Sequence, residues 1–492
     1  MIKYDLIVIG SGPAGFTAAM RALDYAKKVC IVEKDEIGGA GVINGALTSK
    51  TMWELSQDYA VAASVDRGFR ASGLTVDYNS LRKTIIKTAK TKQLQILSQI
   101  ETFSKQKEGE GFLHLKYGHA KFIDKHTIEI SKDNKTEILQ ADNFVIATGS
   151  KPKDYPGLDV DQKRIINSDG ILNLTEFPER MIIIGSGIIG TEFATIFSNF
   201  KQTEVHLLDR SHRVIPFEDD DVSDFVSKNL EKNGVIIHHT ANLRTINKHD
   251  DFLEVVLDYQ DGHSKVLEVD VALISIGRVP NTENLGLENL NISTTERGFL
   301  KISNDCHIKN CPADENIFAA GDITGYAQLV NVAEMQGRYA SKTAFNTATF
   351  PLSYANMSTL MFFKPEVAAV GANEKILQQN GIPYRAAYYS NELVSRALAM
   401  RNFNGFVKII ISADGTEKIL GMRAAGPQAS AFIVSIAHLI NQGDSLAEVM
   451  RVVHPHPSVT EGIQECLRVL KGKSVYKPEA FPDLIRVWEW KP

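Results

Sequence analysis

The chain has only four cysteines in 492 residues: Cys30, Cys306, Cys311 and Cys466. Four are too few for a disulfide scaffold and fit a reducing compartment. Net charge is also scarce, because 54 Lys and Arg against 59 Asp and Glu leave −5. That balance provides no basic field for nucleic acid or anionic lipid, and no acidic tail is present. No apolar run approaches the ~18 residues that a membrane helix needs, so no membrane insertion is expected. The first apolar stretch is interrupted by Asp5 and runs into glycines rather than a cleavage site, unlike a secretory signal. Low-complexity tracts are missing, and 43% hydrophobic with 23% charged residues is a globular composition, which excludes disorder as the main state. At ~150 residues per domain the length suggests about three domains. The expectation is a soluble, cytoplasmic protein.

What is present is a glycine pattern used twice. Residues 4–9 (YDLIVI) read as a short apolar strand, and Gly10-Ser11-Gly12-Pro13-Ala14-Gly15 follows without a gap. An alanine-rich helical stretch and a second strand, Lys28 to Glu33, complete a β-α-β unit. In such a unit Gly10 permits the tight turn, Gly12 lets the backbone approach a pyrophosphate, and Gly15 allows close helix–strand packing. The phosphates then meet a helix N-terminus, where free N–H groups and the dipole favour negative charge. Glu33, 18 residues after Gly15, can accept hydrogen bonds from a ribose diol.

The pattern recurs from Met181 with Gly185, Gly187 and Gly190, and Asp209 stands 19 residues further on. A lone glycine fingerprint is a weak signal. Two of them, each between strand and helix and each followed by a spaced acid, indicate two dinucleotides. Residues 50–105 have helical spacing, and strands return near Leu113. From about Phe350 the pattern changes to strands and a helix, including a strand-like stretch from Phe406 to Ile411. The expected fold class is α/β, with two Rossmann-type dinucleotide-binding domains and a C-terminal α+β domain.

Six ordered signatures carry a resemblance over essentially the full length. They are the first fingerprint with Glu33, Ala147-Thr148-Gly149, and the second fingerprint with Glu192. Gly277-Arg278-Val279-Pro280-Asn281, Ala320-Gly321-Asp322, and His456-Pro457 with Glu461 complete the set. The chain resembles the pyridine nucleotide–disulfide oxidoreductase family, nearest to its dihydrolipoamide dehydrogenase branch. The resemblance implies FAD in the first nucleotide site and NAD(H) or NADP(H) in the second, and no metal. It implies an FAD-binding domain of residues 1–150 and 281–350, an NAD(P)-binding domain of residues 151–280, and a dimerisation domain of residues 351–492.

On the same resemblance, Gly10, Gly12, Gly15, Glu33, Thr148, Gly149 and Asp322 would hold FAD, with Asp322 at its ribityl chain. Gly118-His119-Ala120 would line the adenine. Gly185, Gly187, Gly190, Asp209 and Gly277 would hold the nicotinamide nucleotide, with Ile188 as an apolar gate over it. Lys50 and Glu192 match a salt-bridged pair beside the flavin, where a fixed cation stabilises negative charge. His456 and Glu461 match an acid–base dyad that reaches the partner subunit's active site.

One family feature is missing. The redox disulfide follows a pattern G-G-x-C-x-x-x-x-C-x-x-S-K, and this chain aligns with it without gaps from Gly38-Gly39 to Ser49-Lys50. The two cysteine positions fall on Gly41 and Ala46, neither of which carries a nucleophile. Cys306 and Cys311 share the C-x4-C spacing but lack the flanking motif, and read as ordinary thiols; Cys30 and Cys466 read as packing residues.

The leading reading is therefore a homodimeric FAD-dependent NAD(P)H oxidoreductase that passes hydride from nicotinamide to FAD and then directly to a small-molecule acceptor such as a quinone. A soluble pyridine nucleotide transhydrogenase stays open as an alternative. So does a flavin-containing non-catalytic subunit that docks to a complex. Dihydrolipoamide dehydrogenase activity itself is argued against. Asp209 should repel a 2′-phosphate and so favours NAD(H) over NADP(H), although Arg210, His212 and Arg213 follow closely. Sedimentation of the holoprotein should show a stable homodimer; an active monomer at working concentration would refute composite active sites.

Overall fold

Four consecutive apolar residues, Leu6 to Ile9, are all buried, as a strand covered on both faces requires. In the computed structural model they belong to the strand Lys3–Ile9, central in a parallel sheet. Lys28–Glu33 and then Phe112–Tyr117 lie on one side of it. The end of Lys135–Ile146 lies on the other and pairs in parallel with Ile317–Ala319. The first half of Lys135–Ile146 pairs antiparallel with Thr127–Lys132, which continues to His119–Asp124.

Leu6 and Val8 point into a layer with Ala14, Ala18, Ala19 and Ala22 of the helix Pro13–Leu23. Ile7 and Ile9 point into the opposite layer with Phe122, Ile128 and Phe144. Full burial of each such aliphatic side chain is worth about 1.5–3 kcal/mol. The small residues let the helix Val330–Ala344 come close. A Cβ on its Gly337 would stand 2.1 Å from the Ala14 carbonyl oxygen, and Ser341 Oγ donates to the Ala18 carbonyl at 2.6 Å.

The described residues are 3–66, 68, 72–106, 109–309, 311, 316–443 and 446–492; Asn310, inside the Cys306–Cys311 segment, lies outside them. They form two compact units, residues 1–177 with 273–353, and residues 178–272 with 354–492. The first unit holds the sheet above and the helices Ala46–Ala62 and Tyr78–Ser104, which account for the helical spacing over 50–105. Asp77 caps the longer helix by accepting from the N–H groups of Asn79 and Ser80. The strand Ser150–Pro152 pairs antiparallel with Arg278–Pro280.

In the second unit the parallel strands Arg180–Ile184, Glu204–Leu208 and Ile236–His238, with the helix Ile188–Phe200, carry the second fingerprint. Its other part is a sheet in the order Ser358–Met361, Val367–Gly371, Ile419–Ala425, Phe406–Ser412, Tyr384–Ser390, Ile485–Trp490. Val407, Ile409 and Ile411 pack against Phe432 and Ile436 of the helix Ala429–Gln442 and Ile463 and Leu467 of the helix Glu461–Leu470. No described helix is long and apolar enough to cross a membrane.

The strand Phe406–Ser412 also buries a charge. Lys408 is 0% exposed, and its Nζ lies 2.8 Å from Asp219 Oδ2, 2.6 Å from Asp221 Oδ1 and 2.9 Å from Glu374 Oε1. Tyr384 Oη and Trp488 Nε1 donate to the other Glu374 oxygen at 2.7 and 2.8 Å. Burial alone would push the lysine pKa down. The three carboxylates outweigh it and hold the pKa above the ordinary value. The acids lie close enough together to hold a metal cation, and the lysine ammonium fills that role. Lys408→Met leaves three enclosed carboxylates without a counter-charge. It should cost about 3–5 kcal/mol, read as a lowered denaturant midpoint, and an unchanged midpoint would show that the acids find other partners.

Candidate dinucleotide sites

The first glycine turn is built by close backbone approach. Gly10 has φ +104°, and a Cβ there would lie 2.4 Å from the Ala147 carbonyl oxygen. A Cβ on Gly15 would lie 1.9 Å from the Gly10 carbonyl oxygen. The fold itself therefore requires these two glycines. Gly12 differs, because its φ of −63° suits any residue and an added Cβ meets nothing within 4 Å. Behind it the helix Pro13–Leu23 starts with no side-chain cap. Open room in front of uncapped N–H groups fits a phosphate.

The second fingerprint repeats this geometry. Gly185 has φ +112°, and Gly187 has φ −71° with no side-chain cap and nothing within 4 Å of an added Cβ. Gly190 lies buried in the first turn of that helix, and Ile188 opens it half-buried.

Each fingerprint acid is buried and held by the serine of its own glycine turn. Glu33 Oε2 accepts from Ser11 N at 2.8 Å and Ser11 Oγ at 2.6 Å, while Oε1 accepts from Asp35 N at 2.9 Å. Asp209 Oδ1 accepts from Ser186 Oγ at 2.7 Å and Ser211 N at 3.0 Å, while Oδ2 faces His239 Nδ1 at 3.1 Å. Ser11 and Ser186 escaped the sequence reading, although the signal was available: both fingerprints read Gly-Ser-Gly. Gly118 N donates to the Glu33 carbonyl at 2.8 Å and so brings the buried Ala120 and its strand beside that acid.

A second cluster in the first unit gathers three of the expected signatures. Ser150 Oγ donates to Asp322 Oδ2 at 2.6 Å, and Arg278 donates to Ser150 Oγ and to its carbonyl at 2.7 Å each. Burial raises the Asp322 pKa; the Ser150 hydroxyl and the Arg278 charge oppose that rise without cancelling it. Thr148 Oγ1 donates to the Asn281 carbonyl and Asn281 Nδ2 to the Thr148 carbonyl, both at 2.8 Å. Asn281 N donates to the Gly149 carbonyl at 3.0 Å, and the Gly277 carbonyl accepts from Lys153 N at 2.9 Å. Ser150 and Arg278 are further participants that the motif reading left without a role.

The remaining residues stand as follows. Lys50 lies half-buried on the helix Ala46–Ala62 of the first unit. Glu192 is 4% exposed in the second unit, and its Oε1 accepts from Phe362 N at 3.1 Å. His456 is largely exposed, with its Nδ1 2.8 Å from Glu461 Oε1. Ser458 N donates to the other Glu461 oxygen at 3.0 Å. Burial would raise the Glu461 carboxyl, but these hydrogen bonds hold it below its ordinary value.

Residues 4–337 match the family model described as pyridine nucleotide-disulphide oxidoreductase, and residues 357–467 match the dimerisation domain of the same family. The chain is similar to a dihydrolipoyl dehydrogenase of Bacillus subtilis (strain 168), 30% identical over 478 residues, 96% of this chain and 98% of that one. A dihydrolipoyl dehydrogenase of Geobacillus stearothermophilus is 30% identical over 477 residues, with the same shares covered. Among solved structures, LpdA from Mycobacterium tuberculosis superposes with a TM-score of 0.85 at 25% identity, covering 96% of this chain and 100% of that chain. The HOCl-induced flavoprotein disulfide reductase RclA from Escherichia coli shares the fold, with a TM-score of 0.82 at 23% identity over 95% of this chain and 100% of that one.

Two alanine substitutions separate what the glycines do for the fold from what they do for a ligand. Gly15→Ala should lower the stability of the apoprotein by about 1–3 kcal/mol through overpacking. Gly12→Ala should cost less than about 1 kcal/mol yet weaken dinucleotide retention at least ~tenfold, since the methyl group stands where the backbone must approach a phosphate. Denaturant unfolding of the apoproteins and equilibrium dialysis check the pair. A Gly12→Ala protein that retained the dinucleotide like the parent would show that nothing approaches that glycine.

Proposed function

Because the chain belongs to the pyridine nucleotide–disulphide oxidoreductase family, we propose that it is a homodimeric FAD-dependent NAD(P)H oxidoreductase that serves a diffusible acceptor such as a quinone, without a redox disulfide. Membership brings an oxidoreductase with FAD and pyridine-nucleotide binding and a dimerisation domain. The observation that carries the finer reading is at Gly41 and Ala46, the two positions where the resemblance expects cysteine.

Gly41 offers no room for a side chain as the backbone stands. An added Cβ would lie 2.4 Å from Pro13 Cγ and 2.9 Å from Pro13 Cδ. None of the four cysteines is in a disulfide, and three of them are buried. Burial pushes the Cys30 and Cys306 thiols up to about 12, and raises Cys466 as well. Such thiols stay protonated at neutral pH and do not act as nucleophiles. Four cysteines, none in a disulfide, fit a cytoplasmic location.

Bound FAD would supply the two-electron store between nicotinamide and acceptor. In this reading the FAD-binding domain is residues 1–150 with 281–350, the NAD(P)-binding domain residues 151–280, and the dimerisation domain residues 351–492. Gly12 and the helix behind it receive the FAD pyrophosphate, Glu33 the adenosine ribose, and Asp322 the ribityl chain, while Ala120, Thr148 and Gly149 line the same site. Gly187, Asp209 and Gly277 take the corresponding roles for the pyridine nucleotide, with Ile188 as the apolar gate. Lys50 provides a fixed cation, and Glu192 a buried carboxylate oriented by the Phe362 N–H. His456 in its neutral form donates from Nδ1 to Glu461, which leaves Nε2 as the proton-accepting atom. Asp209 favours NADH because a carboxylate there accepts from a free 2′-OH and repels a 2′-phosphate.

Anaerobic titration of the holoprotein with NADH tests this reading. Oxidised flavin should bleach with about one equivalent per FAD, since no second two-electron store is present. No long-wavelength thiolate band should persist after the nucleotide is removed, quinone reduction should survive thiol alkylation, and lipoamide should not turn over. Consumption of about two equivalents with a persistent thiolate band would overturn the direct path and point to a redox-active cysteine pair.

A further inference from the structure

Each fingerprint acid takes three partners: the hydroxyl of its turn serine, the N–H two residues beyond the acid, and a third that is Ser11 N at Glu33 and His239 at Asp209. In each, one carboxylate oxygen takes two hydrogen bonds and the other faces a single partner. A carboxylate oxygen accepts about two hydrogen bonds, so the singly engaged oxygen keeps the capacity for a ribose hydroxyl. At Glu33 the single partner is the backbone N–H of Asp35, whose charge is fixed. At Asp209 it is the imidazole of His239, whose charge is not. The imidazole is held in place by backbone bonds between the two segments. Asp209 N donates to the His238 carbonyl at 3.0 Å, Thr240 N to the Ser211 carbonyl at 3.0 Å, and Ala241 N to the Asp209 carbonyl at 3.1 Å.

We propose that His239 is a specificity-determining residue at the second nucleotide site, where its protonation moves the preference from NAD(H) toward NADP(H). The inference rests on the reading that a pyridine nucleotide binds at Asp209. With His239 neutral, Nδ1–H donates to Asp209, the pair carries a full negative charge, and a 2′-phosphate is repelled. With His239 protonated, the pair is neutral overall and that repulsion falls. Arg210 is exposed and donates from Nε to Asn242 Oδ1 at 3.0 Å, which leaves its terminal nitrogens for a phosphate. Arg213 is committed elsewhere, 2.7 Å from Asp224 and 3.4 Å from Asp220.

Other titratable groups surround His239. His238, beside it in the chain, is pushed down to about 4 by burial, with His206, Lys265 and His239 itself adding to the shift. It therefore stays neutral where ordinary imidazoles titrate. His206 is also lowered by burial, against the opposing pull of Glu204. Tyr259 Oη lies on His238, 2.6 Å from its Nδ1, and is raised by burial. His212 is exposed on the Asp209 side.

Equilibrium binding of NAD+ and NADP+ to the FAD-loaded protein, measured by calorimetry between pH 6 and pH 8, tests the proposal without turnover. In the parent protein the ratio Kd(NADP+)/Kd(NAD+) should fall about tenfold from pH 8 to pH 6, across the range in which imidazole titrates. In His239→Gln, where a neutral amide donates to the same oxygen, only the titration of the 2′-phosphate itself remains, so the slope should shrink. His239→Asn provides a second neutral variant if the first folds poorly. Equal slopes in parent and variant, or a parent ratio independent of pH, would overturn the role of His239. Asp209→Ala separates that outcome from a failure of the underlying reading. If it leaves both dissociation constants unchanged, or if the parent binds neither nucleotide, the site is not at Asp209 and the proposal falls with it.

Discussion

A strand can pass its chain to a helix within one turn only where backbone lies against backbone with no side chain between. Gly10 meets that condition against Ala147, and Gly15 meets it against Gly10. The rest of the first site depends on this contact. It fixes where the helix Pro13–Leu23 begins and leaves its uncapped end facing open room at Gly12. It also sets Ser11 where both its N–H and its hydroxyl reach Glu33. A carboxylate buried at 7% exposure is tolerable only with such donors. The glycines thus position the acid as well as the open helix end, although no hydrogen bond joins either glycine to the acid's carboxylate.

The repeated device also shows how much can change while the backbone stays the same. Gly185 and Gly187 reproduce the dihedrals of Gly10 and Gly12 within about 10°, and Ser186 reproduces the hydroxyl bond from Ser11. The difference lies in the second donor, a main-chain amide at one acid and an imidazole at the other. Geometry is therefore shared between the two units, and electrostatics is set locally at each. That division lets one fold hold two dinucleotides of different chemistry.

Both fingerprints and their acids were legible in the sequence because strand, turn and helix are contiguous there, and a continuous apolar run such as Leu6 to Ile9 announces a strand buried on both faces. The Asp322 cluster was only half legible. The motifs naming Asp322, Thr148 and Gly277 stood out, but Ser150 reaches Asp322 across 172 residues and Arg278 reaches Ser150 across 128. Lys408 shows the limit most clearly. Within Phe406 to Ile411 it is the one charged residue in an otherwise apolar run, and nothing in that run shows what meets its side chain. Its actual environment is three acids from residues 219, 221 and 374. Periodicity reports which face a residue occupies; it does not report what distant segments cover that face.

The same distinction bears on the missing cysteines. Read as letters, Gly41 and Ala46 are two substitutions that remove two sulfur atoms. Read in the structure, Gly41 is where the helix Gly39–Val42 runs against the Pro13 ring, and a Cβ on Gly45 would lie 2.2 Å from the Ala40 carbonyl oxygen. Pro13 itself is fixed, because it opens the helix that the Gly10–Gly15 contact positions. The segment therefore has glycine where its neighbours leave no space, and the neighbour at Gly41 is the proline that opens the helix Pro13–Leu23. Any side chain at 41 would require either the short helix or the Pro13 ring to shift. The tight fit at Gly41 thus follows from the course of the backbone, and it is made against the same proline that opens the helix of the first glycine turn.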